Sequence, residues 1–236
     1  MRRTIPIVAA ARMLATGCAS VEPKPTPPAA GAVEYEVTFT GTWTEASHPV
    51  EYPKGGPISG PHFSGLIGAT HREGYALFAE GRAPSPGLER LSEEGKHSPL
   101  DAEIRGAIDA GLAGAIIETG PVKILSQPVS ARFRVDPRHP LVSAVAMIAP
   151  SPDWFAGAAD VDLREGGRFV ESKEVIVYAW DSGGDDGTTY EASDVDTNPK
   201  RPTTIADSRH FVRDGKRIPV GRLTFKKLLR PWAPGE

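Results

Sequence analysis

The sequence predicts an all-β fold, an antiparallel β-sandwich with one or two short helices inserted between strands. The 236-residue chain contains 25 glycines and 23 prolines, which disfavour helix interiors and favour turns. Several segments alternate apolar and polar residues with a period of two, as strands with one buried face do. Only the region between Pro86 and Gly111 departs from this pattern.

The first predicted strand covers residues 33–43, where Tyr35, Val37 and Phe39 alternate with Glu and Thr. Residues 141–149 form a nearly continuous apolar run, which is expected of a strand that is buried on both faces. The remaining predicted strands are 129–135, 157–163, 174–180 and 220–229, and the turn formers Glu165-Gly166-Gly167 are expected to join 157–163 to 174–180.

The helical region contains two start signals. Ser85-Pro86 predicts a short helix that ends at Gly95, because proline is tolerated in a first turn. Residues 98–101 (SPLD) resemble a capping box and lead into a second short helix that ends near Gly111. Both are expected to cap or bridge the sandwich. Residues 182–202 are polar and rich in turn formers, and they predict a long loop.

The N-terminus resembles a bacterial lipoprotein signal over residues 1–17. Arg2 and Arg3 precede a short apolar stretch, and Thr16-Gly17 lead into Cys18, the single cysteine of the chain. This pattern predicts cleavage before Cys18 and a lipid anchor on its thiol. The alternative is an ordinary secretory signal in which Cys18 is incidental. Without other cysteines, disulfides cannot stabilise the fold, and its core must suffice.

Residues 18–32 form a Pro-rich linker, which favours an extended stalk between the membrane and a domain at 33–236. We therefore expect a secreted protein that is lipid-anchored in the bacterial cell envelope, on its periplasmic face or at the cell surface. The formal net charge of −3 gives no indication of a nucleic-acid partner.

Acidic residues flank two predicted strands where these would meet. Asp153 precedes strand 157–163, while Asp181 and Asp185 follow strand 174–180. If the strands pair antiparallel, the start of the first and the end of the second lie at the same edge. Three carboxylates with no Lys or Arg between them repel one another unless a cation neutralises them. Oxygen ligands on a glycine-rich loop suit Ca²⁺ better than Mg²⁺, and Zn²⁺ would want His or Cys.

A second interpretation of these residues stays open. Asp and Gly are common turn formers, so the segment DSGGDDG at 181–187 is also compatible with a solvated turn. Asp194 and Asp196 form another acidic pair nearby, which we interpret as surface. The residues alone do not choose between a calcium site and a turn.

Two segments resemble the signature of the spondin N-terminal domain family. They are residues 147–163 (MIAPSPDWFAGAADVDL) and 178–187 (YAWDSGGDDG). Further similar pieces begin, in the family's order, at Tyr35, His62, Tyr75 and His139. The resemblance implies a β-sandwich similar to C2 domains, with calcium bound by loops at one end. It implies that the ligands are Asp153, Asp181 and Asp185.

We therefore expect a calcium-binding envelope lipoprotein that serves as a binding or adhesion module and is not an enzyme. Its ligand would be a glycan, a matrix polymer or an anionic lipid head group. Two alternatives stay open. Calcium could stabilise a purely structural envelope domain, or the Asp cluster could serve a metal-dependent hydrolase, with Asp186 as the only nearby candidate base.

Overall fold

A computed structural model of the chain describes residues 31–55, 60–120 and 127–229. The predicted signal segment, Cys18 and nearly all of the linker lie outside the described residues. The helices and strands are β1 (Val33–Gly41), β2 (His62–Phe63), β3 (Ile67–His71), α1 (Pro86–Glu94), α2 (Leu100–Asp109), β4 (Ala113–Glu118), β5 (Val129–Val135), β6 (Leu141–Ala149), β7 (Trp154–Asp162), β8 (Arg164–Glu165), β9 (Arg168–Phe169), β10 (Ser172–Asp181), β11 (Thr204–Ile205), β12 (Val212–Arg213), β13 (Lys216–Arg217) and β14 (Gly221–Lys227).

The predicted all-β, antiparallel class is confirmed. Along the main sheet the strands follow the order β4-β3-β6-β7-β10-β14-β1-β5, and all of these pairs are antiparallel. Strand β10 joins the two layers, because its first half pairs with β14 and its last residues pair with β7. The strands at the two ends of this order, β4 and β5, lie against each other, so the sheet is nearly closed around its core.

The alternation of apolar and polar residues along β1 matches an alternation of buried and less buried side chains. Tyr35, Val37 and Phe39 are almost fully buried in the main core, while the residues between them are less buried. β1 lies between β14 and β5, with Val37 opposite Phe225 on one side and Ala131 on the other. Alternate side chains of one strand point to opposite faces, so one face fills the core.

The apolar run of β6 is buried along its whole length, as predicted. Val142 and Ala144 on one face belong to the main core, whereas Val145 on the other face belongs to a second core under the helices. Leu91 of α1 and Ile104 of α2 fill that second core. β6 is therefore covered by the sandwich interior on one face and by helices on the other.

Both predicted helices are present. Ser85 Oγ caps α1 by accepting a hydrogen bond from the Leu88 N–H at 3.1 Å, and Gly95 ends the helix with φ +67°. The predicted capping box before α2 is wrong: this helix begins after Pro99 and has no side-chain cap. Within the described parts of the chain, no helix is long and apolar enough to span a membrane.

The short strands β2, β3, β4, β8, β9, β11, β12 and β13 were not predicted. In β3, Gly68 interrupts the apolar pattern, and a Cβ at this position would lie 2.3 Å from the Ser143 carbonyl oxygen. Close packing of β3 against β6 therefore requires a residue that weakens the strand signal. The predicted turn at Gly166-Gly167 connects β8 to β9, and both glycines have positive φ.

Candidate functional site

The candidate site lies at one end of the β7–β10 pair. Asp181 is opposite Trp154 in the register, so Asp153, which immediately precedes β7, lies beside the end of β10. The Ser182 N–H donates to the Asp153 carbonyl oxygen at 3.2 Å and extends this contact into the loop. The antiparallel pairing expected from the sequence thus brings Asp153 against the segment that contains Asp181 and Asp185.

Asp153 is fully buried, and its two carboxylate oxygens have different surroundings. Oδ2 accepts hydrogen bonds from Ser182 Oγ at 3.0 Å and from the N–H groups of Gly184 at 2.8 Å and Asp185 at 3.2 Å. Oδ1 is buried and has no hydrogen-bond partner among the described residues. Desolvation raises the pKa of Asp153, although these hydrogen bonds oppose the shift. An unpaired buried oxygen is costly unless another group compensates it.

Asp181 is only partly buried and accepts a hydrogen bond from the Gly183 N–H at 3.0 Å. Burial, and then repulsion from Asp153, raise its pKa to about 6. Neither Asp153 nor Asp181 forms an ion pair with a described residue. Asp181 also lines a cavity of about 180 Å³ together with Asp186 and Arg201.

Asp185 is buried, but its carboxylate accepts hydrogen bonds from backbone groups of its own loop. Oδ1 accepts from the Gly187 N–H and Oδ2 from the Val195 N–H. In the described parts of the chain, no three His, Cys, Asp or Glu side chains are grouped so that they could hold a metal ion. The structure therefore brings the loop of Asp181 and Asp185 against Asp153, but it does not group the three side chains as metal ligands, because the Asp185 carboxylate is turned toward backbone donors.

Helix α1 contributes a carboxylate that the sequence did not identify. Glu93 Oε1 is buried without a hydrogen-bond partner among the described residues, and a Cβ on Gly184 would lie 2.6 Å from it. Burial and the charge of Glu89 raise the pKa of Glu93 to about 7, with smaller contributions from Asp194 and Asp153, against the effect of Lys200. Spacing places Glu89 and Glu93 on one helix face, but it does not indicate that this face meets the Asp181 loop.

Two cations pair with the acidic residues at the edge of the site, Glu89, Asp186 and Asp196, which we call the rim. Lys200 Nζ lies 2.8 Å from Glu89 Oε1 and 3.1 Å from the Gly184 carbonyl oxygen, and it also pairs with Asp196. Asp196, interpreted from the sequence as surface, thus takes part in the loop. No Lys or Arg lies between Asp181 and Asp185 in the sequence, but the fold brings Lys200 back to them from the far end of the same loop.

Arg201 acts beside Lys200. Its Nη2 lies 2.8 Å from Asp186 Oδ1 and donates to the Asp185 carbonyl oxygen at 3.1 Å. These contacts pair the carboxylates of the rim, whereas Asp153 and Asp181 form no direct ion pair with a described residue, although the charge of Arg201 acts on Asp181 from across the cavity.

Comparison with known proteins places this site in a family. The family model described as Spondin_N matches residues 33–214. The chain belongs to the spondin N-terminal domain family. Asp153, Asp181, Asp185, Glu93 and Lys200 all lie within the part that matches this spondin model.

Individual spondins are similar over most of the chain. Rat Spondin-2 is 33% identical over 204 residues, which cover 82% of this chain and 61% of the relative. Human Spondin-2 is 32% identical over 83% of this chain and 61% of the relative. Spondin-1 of Xenopus laevis is 34% identical over 86% of this chain and 26% of the relative. The chain thus spans less than two thirds of the length of these relatives.

Proposed function

We propose that this spondin-family chain is a calcium-binding, extracytoplasmic binding or adhesion module of the bacterial cell envelope, anchored through a lipid on Cys18. One observation carries the calcium assignment. Asp153 Oδ1 is fully buried, has no hydrogen-bond partner among the described residues, and lies beside Asp181, whose charge repels it. A cation would supply the charge that this oxygen lacks.

The donor set favours calcium. Asp153 and Asp181 would hold the ion. Asp185 would join them if one of its carboxylate oxygens left its backbone N–H donor and bound the ion instead. Glu93 offers a second buried oxygen without a partner. All of these ligands are oxygens on an irregular loop, which suits a cation with a large and adaptable coordination shell. A bound calcium would supply positive charge and cross-link the start of β7 to the loop after β10.

The binding role is supported by the family and by the position of the site. The ion would lie beside the open cavity that Asp181 and Arg201 line, where its charge would attract an acidic ligand. The ligand would be a glycan, a matrix polymer or an anionic lipid head group. The extracellular location follows from the spondin family, and the lipid anchor follows from the sequence around Cys18.

A structural role for calcium is the second candidate. Asp153 already connects Ser182, Gly184 and Asp185, so an ion at this point would stabilise a domain that cannot form a disulfide. The hydrolase alternative has less support. Its candidate base, Asp186, accepts a hydrogen bond from Thr197 and forms an ion pair with Arg201. We therefore do not propose catalysis.

Calorimetric calcium titration of the full chain tests the calcium assignment. We expect saturable binding to the wild type and none to Asp153→Asn/Asp181→Asn. Asp160→Asn is the matched control, because Asp160 lies near the other end of β7, with a side chain that is 63% exposed. Its φ of +52° is tolerated by asparagine. Wild-type protein that is folded but does not bind calcium would contradict the proposal.

A further inference from the structure

A groove runs along the outer face of β10, beside the candidate calcium site. It lies between β10 and the β12–β13 hairpin and encloses about 650 Å³. Its lining includes Tyr178, Ile205, Asp207, Val212, Lys216 and Arg217. Ile205 and Asp207 also line the cavity that contains Asp181, so the two spaces adjoin. A ligand could therefore extend from the calcium site to the hairpin.

β10 contributes Tyr178 to the groove, and Ile176 lies next to it on the same face of the strand, outside the groove lining. Tyr178 is only partly buried, and its hydroxyl forms no hydrogen bond with a described residue. Ile176, the next residue on the same face, is 47% exposed, which is unusual for a large apolar side chain in this domain. An accessible aromatic ring beside an exposed aliphatic side chain offers a flat surface on which a sugar ring can stack.

The wall of the groove is basic. Lys216 and Arg217 are exposed on β13 and form no ion pair with any described residue. The cations near the calcium site differ, because Lys200 and Arg201 are paired with carboxylates. Unpaired Lys and Arg side chains at the edge of a cavity favour an anionic group, and the Arg guanidinium can bind a carboxylate through two parallel hydrogen bonds.

The backbone of β10 is not available for pairing with a peptide strand. The β10 carbonyl oxygens of Val177 and Ala179 already accept hydrogen bonds from the N–H groups of Val220 at 2.9 Å and Ala206 at 3.0 Å. Strand addition needs free backbone groups at an edge, and these are not free. The carboxylate of Asp207 accepts hydrogen bonds only, so it suits a ligand that carries hydroxyl donors as well as negative charge.

We propose that this groove binds an acidic oligosaccharide, with a sugar ring on Tyr178 and a carboxylate on Lys216 and Arg217. The proposal rests on the binding-module function above and names the ligand of that module. The family match ends at residue 214, so Lys216 and Arg217 lie beyond the part of the chain that the spondin model covers. The two basic residues that would bind the carboxylate are therefore a feature of this chain's β12–β13 hairpin.

The first test uses a hyaluronan octasaccharide, which alternates uronic acids with N-acetylated sugars. An uncharged chitin oligosaccharide of the same length is the control ligand. With the full chain, we expect Lys216→Ala/Arg217→Ala to raise the hyaluronan Kd at least about tenfold, as loss of charge-assisted hydrogen bonds does. The matched variant Arg72→Ala/Arg168→Ala removes the same charge at the opposite end of β7 and β10, and it should change the Kd less than about twofold.

A second pair of variants tests stacking. Tyr178→Ala should weaken binding at least about fivefold, whereas Tyr178→Phe, which keeps the ring, should stay within about twofold of the wild type. The unfolding midpoint and calcium affinity of each variant, measured on the same samples, show that the domain is folded. These readouts also separate the two proposals, because calcium binding reports on the site at Asp153 and sugar binding reports on the groove.

Three outcomes would overturn the inference while leaving calcium binding intact. One is the absence of hyaluronan binding by a wild type that binds calcium. Another is equal weakening by the hairpin variant and the Arg72→Ala/Arg168→Ala control. The third is binding through Lys216 and Arg217 to phosphatidylglycerol vesicles but not to hyaluronan, which would assign the hairpin to a membrane surface instead.

Discussion

The buried carboxylate of Asp153 accepts a hydrogen bond from the backbone N–H of Gly184, at a distance of 2.8 Å and a sequence separation of 31 residues. The same oxygen accepts from Ser182 Oγ and from the Asp185 N–H. A side chain at the start of β7 thus holds the loop that follows β10. The second oxygen of Asp153 has no such partner among the described residues, and the calcium proposal depends on this difference.

Asp185→Asn should destabilise the calcium-free protein. Both carboxylate oxygens of Asp185 accept backbone N–H donors, and an asparagine side chain supplies only one acceptor oxygen. We expect the free energy of unfolding to fall by about 1–3 kcal/mol, the usual cost of leaving a buried donor unpaired. Urea unfolding in the presence of EDTA measures the change.

Asp181→Asn is the control for this measurement. Because burial and the Asp153 charge raise the pKa of Asp181 to about 6, ionising this carboxyl group costs more free energy in the folded state than in the unfolded state. Neutralising it in EDTA should therefore leave the unfolding free energy unchanged or raise it. Equal losses in the two variants would show that Asp185 has no special role in the loop.

Gly183→Ala should be more destabilising than Gly166→Ala. Both glycines have positive φ, +83° and +56° respectively, so both substitutions carry a backbone cost of about 1 kcal/mol. At Gly183 the added Cβ would also lie 2.3 Å from the Arg201 carbonyl oxygen, whereas at Gly166 it would meet nothing within 4 Å. Thermal unfolding of the two variants compares them, and similar losses would contradict the close approach of Arg201.

The N-terminus of α1 is capped from two elements. Ser85 Oγ accepts from the Leu88 N–H and donates to Glu103 Oε2 at 2.6 Å, while Glu103 Oε1 accepts from the Gly87 N–H at 2.7 Å. Ser85→Ala should cost about 1 kcal/mol of unfolding free energy, as the loss of a helix cap does.

The contact between Ser85 and Glu103 can be isolated by a double-mutant cycle. Because the two side chains share a hydrogen bond, the loss in Ser85→Ala/Glu103→Ala should be smaller than the sum of the single losses. The cycle is measured by urea unfolding. Additive losses would mean that Glu103 caps α1 independently of Ser85.

The contribution of His48 to the stability of the domain should fall in mild acid. Desolvation by burial lowers the pKa of His48 from 6.5 to about 4, so between these pH values the unfolded chain binds a proton that the folded chain does not. The His48 contribution to the free energy of unfolding should fall as the pH falls from about 6.5 and should level off near pH 4, while the raised pKa values of Asp181 and Glu93 act in the opposite direction. The pKa difference corresponds to a total on the order of 3 kcal/mol.

The measurement for His48 is the urea midpoint at a series of pH values. As the pH falls from 6.5 to 4, His48→Gln should lose less stability than the wild type or gain more, because glutamine does not titrate there. His62→Gln, at a partly buried histidine, is the matched control and should retain the slope. An unchanged slope in His48→Gln would assign the acid sensitivity to another group.

The sequence identified those strands and helix ends that a few consecutive residues specify. The alternation in β1 and the apolar run of β6 predicted strands, and Ser85 and Gly95 predicted the ends of α1. The antiparallel pairing of β7 with β10 also followed, because two neighbouring strands can be recognised from their own residues. That pairing was sufficient to bring Asp153 to the loop of Asp181.

Short strands escaped prediction because tertiary packing outweighs their composition. β3 contains Gly68 for its close approach to the Ser143 carbonyl oxygen, and this glycine weakens the local pattern. The predicted capping box at 98–101 failed for the opposite reason: a favourable local pattern was present, but α2 begins after Pro99 without a side-chain cap.

By itself, the sequence determined the all-β class, the spondin resemblance and the convergence of Asp153 on the Asp181 loop, because these depend on local patterns and on one pairing of neighbouring strands. Only the tertiary structure placed Glu93 beside Gly184 and returned Lys200 to the rim. It also placed the exposed Lys216 beside the groove over Tyr178. Such contacts join residues far apart in the chain, and their geometry depends on how whole elements pack together.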